Sequence, residues 1–420
     1  MIAHPRIGSL RVAEYPLKGA TPAARQSRFR GVSRMVRAGF VAGAALLVSL
    51  GAQAALPIQH WTQPSGAKVY FVAVDALPIV DVQIDFDAGG RRDPAAQAGL
   101  ADVTAGMLDK GVAANGAEPA MDENALGEAW ADLGASFGAG AGSDRMSFSL
   151  RTLSRPDLLD KSVALAAREI GEPSFPADVW RRERERIVAA IKEANTKPGT
   201  IAGRAYGKDV YGSHPYGYDA NEETLGRIEV GDMRSFYAGH VAPCRAKLSI
   251  VGALDRAQAD SIAGALLSRL PAAAECRPLP PVPGVDALKE PKVDRIAFTS
   301  AQAHVLIGQP GYPRSDPDHF ALTLGNYVLG GGGFVSRLTE EVREKRGLAY
   351  SVYSGFSPGL GAGAFTIGFQ TRPDQADEAV KVSRSVLEKF VAEGPTAAEL
   401  QAAKDNLIGG FPLLLDSNRK

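Results

Sequence analysis

The sequence predicts an α+β protein of two homologous domains, each an antiparallel-rich sheet flanked by helices, the second one shortened. Three observations carry this expectation. The stretch CRPLPPVPGVDALKEPK (276–292) holds five prolines, which fit neither a helix interior nor a central strand, so it reads as a linker. On either side of it the same order recurs: strand, helix, hairpin, helix. Both hairpins run through glycines and close on Arg-Pro-Asp, at 155–157 and again at 372–374. A unit this long is a duplicated domain rather than a solenoid repeat. The expected organisation is therefore a targeting segment (1–54), a first domain (55–275), the linker (276–292) and a second domain (293–420).

The N-terminal segment reads as an export signal. Residues 1–54 hold eight Lys/Arg and one acid, Glu14. Arg25, Arg28, Arg30, Arg34 and Arg37 precede a small-residue apolar run, Ala38 to Leu50, and Ala52-Gln53-Ala54 supplies an A-x-A cleavage signal. That run of 13 residues is too short to span a bilayer, so no stable membrane insertion is expected after cleavage behind Ala54. Met35 offers an alternative start. The predicted location is the periplasm. The remaining chain carries 39 basic and 46 acidic residues, a net charge of −7, which argues against nucleic acid as a general partner. Cys244 and Cys276 form an even pair in an oxidising compartment. A disulfide and two buried thiols read alike at this level, and both stay open.

In the first domain, Val80, Val82, Ile84 and Phe86 alternate with Asp81, Gln83, Asp85 and Asp87, as in a half-buried strand. A helix is expected from about Gln97, a hairpin over 136–157, and helices over Leu158–Ile170 and Val179–Glu193. The last of these puts Trp180, Ile187, Val188 and Ile191 on one face. In the second domain, 304–311 reads as the strand, His319–Val328 as the helix and 350–374 as the hairpin. Helices over Ala379–Val391 and Thr396–Gly409 follow, and the expected closing helix and strands are missing before Lys420.

Two segments carry the candidate chemistry. The first is Ala98-Gly99-Leu100-Ala101, then Asp102, Ala105 and Gly106, then Met107-Leu108. This frame resembles the one around H-x-x-E-H in the pitrilysin/insulinase-type (inverzincin) zinc metallopeptidases. In that motif two His at i and i+4 share a helix face to bind zinc, and the Glu activates a water. Here the ligand slots hold Asp102 and Gly106 and the base slot holds Ala105; Lys192, with Glu193 beside it, falls at the third ligand. One carboxylate without an imidazole leaves no zinc site. The six His are scattered and suggest no replacement metal site.

The second segment, LGGGGFVSRLTEEVREKRGLAYSVYSGF (329–356), resembles the stretch by which the family's second domain supplies an Arg and a Tyr to the active site. Those positions are Arg343 and Tyr350. Ser336 is placed to cap a helix carrying Leu338 and Val342, and Gly347 to end it. The glycines Gly330–Gly333 lack the preceding strand and the Lys-Ser/Thr of a phosphate loop, so a tight turn is expected there. YGSHPYGYDANEETLGRIEVGDMRSFYAGHVAP (211–243) also looks like the family's first domain near its close.

What the resemblance implies is a clamshell half without catalytic metal. Some enzymes of this family are built from two chains, one bearing H-x-x-E-H and the other supplying Arg and Tyr. The implied partner is thus a homologous H-x-x-E-H subunit holding zinc, with no cofactor in this chain, and the substrate is a peptide. Gly138, Gly140 and Gly142, in the first hairpin, would offer a sheet edge on which that peptide pairs. The alternatives are an inert peptide-binding or scaffold protein, and a peptidase using other residues such as Asp102 and Asp109.

Overall fold

A computed structural model describes residues 57–271, 276–415 and 418; the targeting segment expected over 1–54 lies outside these described residues. Residues from Pro57 onward form one compact unit.

The first half begins with β1 (Gln59–Thr62), β2 (Lys68–Ala73) and β3 (Ile79–Phe86), followed by α1 (Leu100–Gly106). A short pair, β4 (Gly111–Val112) and β5 (Met121–Asp122), leads to α2 (Glu123–Leu133). The hairpin is β6 (Ser136–Ala141) and β7 (Met146–Leu153). Then come α3 (Pro156–Gly171), α4 (Ala177–Ala194), α5 (Pro198–Tyr211), α6 (Glu222–Gly226) and α7 (Val230–His240). Strand β8 (Lys247–Gly252) and α8 (Arg256–Leu267) close the half.

The sheet order is β1-β2-β8-β3-β7-β6. Only the β2–β8 pair is parallel. Alternation in β3 buries Val80, Val82, Ile84 and Phe86 against the helices. Asp81, expected on the solvent face, is also buried, because Arg151 across the β3–β7 ladder donates to both its oxygens at 2.7 and 2.9 Å. Trp180 anchors α4 and donates from Nε1 to the Ile228 carbonyl at 3.0 Å.

The second half has β9 (Ala303–Pro310), α9 (His319–Asn326), β10 (Ala349–Phe356), β11 (Ala364–Thr371), α10 (Ala376–Glu393) and α11 (Ala397–Gly410). Its sheet order is β10-β11-β9. One face buries Val352, Ile367 and Phe369 in a core shared with Leu338, Val342 and Ala379. The helix expected to reach Val328 departs from α geometry at Tyr327, where a π-helical turn (Tyr327–Gly331) leads into the glycine run.

Helix α5 brings the halves together. The Tyr206 hydroxyl donates to the Phe365 carbonyl at 2.8 Å, and the Tyr211 hydroxyl accepts from Ala364 N–H at 2.9 Å. Just past the helix, the Tyr216 hydroxyl accepts from Gly361 N–H at 2.9 Å and donates to Asp144 at 2.5 Å. Segment 276–292 holds no helix or strand and lies on the first half, where His214 Nε2 meets the Pro283 carbonyl at 3.0 Å. Cys244 and Cys276 are joined by a disulfide, which resolves the pair left open above.

Candidate functional site

Helix α1 keeps the frame of a zinc helix without its donors. The helix expected from Gln97 starts at Leu100, because residues 95–97 form a 3-10 turn and Gly99 adopts φ 101°. The buried Asp93 carboxyl caps it, accepting from Gly99 N–H at 2.8 Å and Ala101 N–H at 2.9 Å. Burial pushes Asp93 up to about 6. Leu100, Ala101, Val103, Thr104 and Ala105 face the core, while Asp102 and Gly106, the two ligand slots, are exposed. Partial withdrawal of the Asp102 carboxyl from water still raises its pKa. Lys192 pairs with Glu222 at 2.8 Å, and Glu193 with Lys197 at 3.4 Å. A tetrahedral zinc site needs three or four His, Cys or carboxylate donors converging. Asp102, Ala105, Gly106 and Lys192 supply one, so this donor set does not fit the metal. Among the described residues no group of three or more His, Cys, Asp or Glu is placed to hold one.

Helix α1 packs against β6, the outer strand of the six-stranded sheet. Gly138 and Gly140 pair with Ser149 and Ser147 of β7 on one side, and among the described residues no strand pairs with the other edge. Gly142 departs from the expectation. It lies beyond the strand in the hairpin turn, its N–H donating to the Arg145 carbonyl and its own carbonyl accepting from Gly90 N–H, both at 2.9 Å. Its backbone is already used and cannot extend the edge.

Arg343 and Tyr350 come together. Ser336 sits where expected: its hydroxyl accepts from Thr339 N–H at 3.4 Å, and Leu338 and Val342 are fully buried. The helix is wider than an α-helix, a π-helical turn over Thr339–Glu344, with Lys345 N–H donating to the Glu340 carbonyl at 2.9 Å. Gly347, at φ 62°, ends it. The β10–β11 register shifts between Ala349 and Val352, a bulge that re-aims the intervening side chains. Tyr350 is 82% exposed as a result. The Arg343 guanidinium lies 5.1 Å from its ring centroid and 4.7 Å from that of Phe334, with Glu344 at 3.3 Å. Phe334 escaped the sequence reading, although a lone aromatic directly after four glycines and ahead of the Arg/Tyr segment was a usable signal.

Two pairings therefore exist, α1 with the β6 edge and Arg343 with Tyr350. No hydrogen bond, ion pair or ring contact among the described residues joins one to the other. The second pairing can donate hydrogen bonds to a carbonyl or an oxyanion, and the first offers one carboxylate and no imidazole.

Comparison with known proteins shows the family. The family described as Peptidase M16 inactive domain matches residues 227–407. A solved structure of a peptidase M16 inactive domain from Pseudomonas fluorescens is 36% identical, with TM-score 0.79, over 87% of this chain and 85% of that one. An uncharacterized zinc protease of Streptomyces coelicolor is 30% identical over 56% of this chain; the match spans only 52% of that protein's length. The non-peptidase homolog YmxG of Helicobacter pylori is 23% identical over 87% of this chain and 82% of its own. With a matching fold and 36% identity to a solved M16 inactive domain over most of both chains, the chain belongs to the M16 peptidase family as an inactive, protease-like member.

Proposed function

We propose that this chain is the non-catalytic, substrate-binding subunit of a two-chain M16 zinc peptidase that acts on peptides in the periplasm. One observation carries the reading: Arg343 and Tyr350 are stacked together with the Tyr350 ring open to solvent, while α1 lacks the donors for a metal. A guanidinium and a phenol held this way serve a reaction whose metal chemistry is done elsewhere. The partner bears H-x-x-E-H and supplies the zinc and the general base. The residues of this chain orient the scissile bond, with the Tyr350 hydroxyl and Arg343 guanidinium donating hydrogen bonds to the peptide carbonyl and to the oxyanion that develops on it. The open edge of β6, at Gly138 and Gly140, pairs with the extended peptide. The Cys244–Cys276 disulfide supports an oxidising compartment, in keeping with the export signal read in residues 1–54.

The test is peptide hydrolysis by this chain alone, by an H-x-x-E-H homologue alone, and by the two together. Activity is expected only in the pair, falling by ~10-fold or more in Arg343→Ala and in Tyr350→Phe. Equal activity with and without this chain, or indifference to both substitutions, would leave an inert peptide-binding or scaffold role.

A further inference from the structure

Beside Tyr350 the two halves form a half-open cavity of about 540 Å³. Gly199 and Ala202 of α5 form one wall, His304 and Leu306 of β9 the floor, and Tyr350 and Tyr353 of β10 the other wall. Two glycines set its shape. The β10–β11 register places Tyr353 opposite Gly368, and its ring lies over that glycine. A Cβ at position 368 would stand 2.4 to 2.8 Å from the ring and hydroxyl atoms. Across the cavity, a Cβ on Gly199 would stand 3.1 Å from His304 Nδ1. Glycine at both places leaves room for both rings, and a single methyl at 368 would displace the tyrosine. Among the described residues that line the cavity none is Asp, Glu, Lys or Arg. A charged side chain entering it would shed hydration and meet at most the His304 imidazole and the polar Gln302, Ser351 and Gln370, whereas an aromatic ring meets the faces of Tyr350 and Tyr353. Tyr353 is half exposed, so its ring has area to offer.

Resting on the reading of Arg343 and Tyr350 as peptide-holding groups, we propose that this cavity is a side-chain subsite for an aromatic residue, Phe or Tyr, of the bound peptide. A peptide held at its carbonyl by Tyr350 passes over Tyr353 along the same strand and lays the neighbouring side chain between Tyr353 and His304.

The experiment measures binding of three fluorescein-labelled decapeptides, identical except for a central Phe, Asp or Gly, to the chain by fluorescence anisotropy. The Phe peptide is expected to bind about 10-fold more tightly than the Asp peptide. Tyr353→Ala and Gly368→Ala should bring that ratio close to one, chiefly by weakening binding of the Phe peptide. The second variant guards against a folding defect in the first. A wild-type ratio near one, or a preference that survives both substitutions, overturns the subsite. Loss of affinity for all three peptides in Tyr350→Phe shows that the underlying reading holds. Unchanged affinity for all three in both Tyr350→Phe and Arg343→Ala overturns that reading and the subsite with it.

Discussion

Helix α1 and the π-helical turn carrying Arg343 differ in what each shows to solvent. On α1 the buried residues are those any helix needs here, and the two exposed positions, Asp102 and Gly106, hold no imidazole. On the π-helical turn Thr339 and Val342 are buried, while Arg343 and the adjoining Tyr350 carry a guanidinium and a phenol. The packing that places a helix and the side chains that give it chemistry occupy different faces. The exposed positions can therefore change without disturbing the packing that holds each helix in place.

Individual carboxyls in the two halves respond to acid in opposite directions, which gives the largest expected effect. Burial raises Asp93 from 3.8 to about 6 and Glu169, held by Trp130 Nε1 at 2.5 Å, from 4.5 to about 7. Within those windows the folded chain keeps a proton that the unfolded chain releases. Stability from these groups is therefore fully present in acid and lost as pH rises through 3.8 to about 6 and 4.5 to about 7. Each window is worth on the order of 3 kcal/mol. In the second half, hydrogen bonds from Arg337 hold Glu399 down at about 2, so its contribution is present above 4.5 and lost as pH falls from there. Hydrogen exchange, corrected for intrinsic rates, should show α1 and α3 better protected at about pH 5 than at about pH 8, with α11 unchanged. Asp93→Asn with Glu169→Gln should abolish the difference. If it persists in that double variant, the buried carboxyls are not its source.

A smaller contrast concerns the two left-handed glycines that bound these helices. Gly99 has φ 101° and a Cβ there would lie 2.9 Å from that of Ala220, whereas Gly347, at φ 62°, faces open space. Gly99→Ala adds a packing clash to backbone strain and should cost about 2–4 kcal/mol, against about 1–2 for Gly347→Ala. Urea midpoints read both. Equal losses would mean that the α1 entrance yields to the clash.

Sequence reasoning reached the elements that carry their own period. β3 is legible because Val80 to Phe86 alternate over a sheet buried on one face, and α4 because Trp180 to Ile191 recur at helical spacing. It did not reach β8, which enters the sheet between β2 and β3 through pairings more than 160 residues distant in the chain. Nor does composition reveal that a helix will widen to π geometry at Tyr327 and Thr339. Arg343 and Tyr350 were legible only through a family resemblance, since an Arg and a Tyr seven apart carry no signal of their own. The Asp93 cap was missed because it lies six residues before Gly99, outside the spacing of an ordinary N-cap. Gly142 was misread because the end of a glycine-rich strand is set by the turn that follows it.

The smallest effect tests whether the Arg343 arrangement is tuned or merely present. The guanidinium lies over two rings, Phe334 at 4.7 Å and Tyr350 at 5.1 Å, and Phe334 is largely exposed. An exposed cation–π contact contributes about 0.5–1 kcal/mol. Phe334→Ala should therefore slow hydrolysis by the two-chain enzyme by about two- to five-fold, and Phe334→Trp should not. Because Phe334 acts through the guanidinium, its loss should show in kcat more than in KM. The same substitution made in an Arg343→Ala background should then change nothing. A full Phe334→Ala effect in that background would mean that the ring meets the peptide itself and leaves Arg343 to Tyr350 alone.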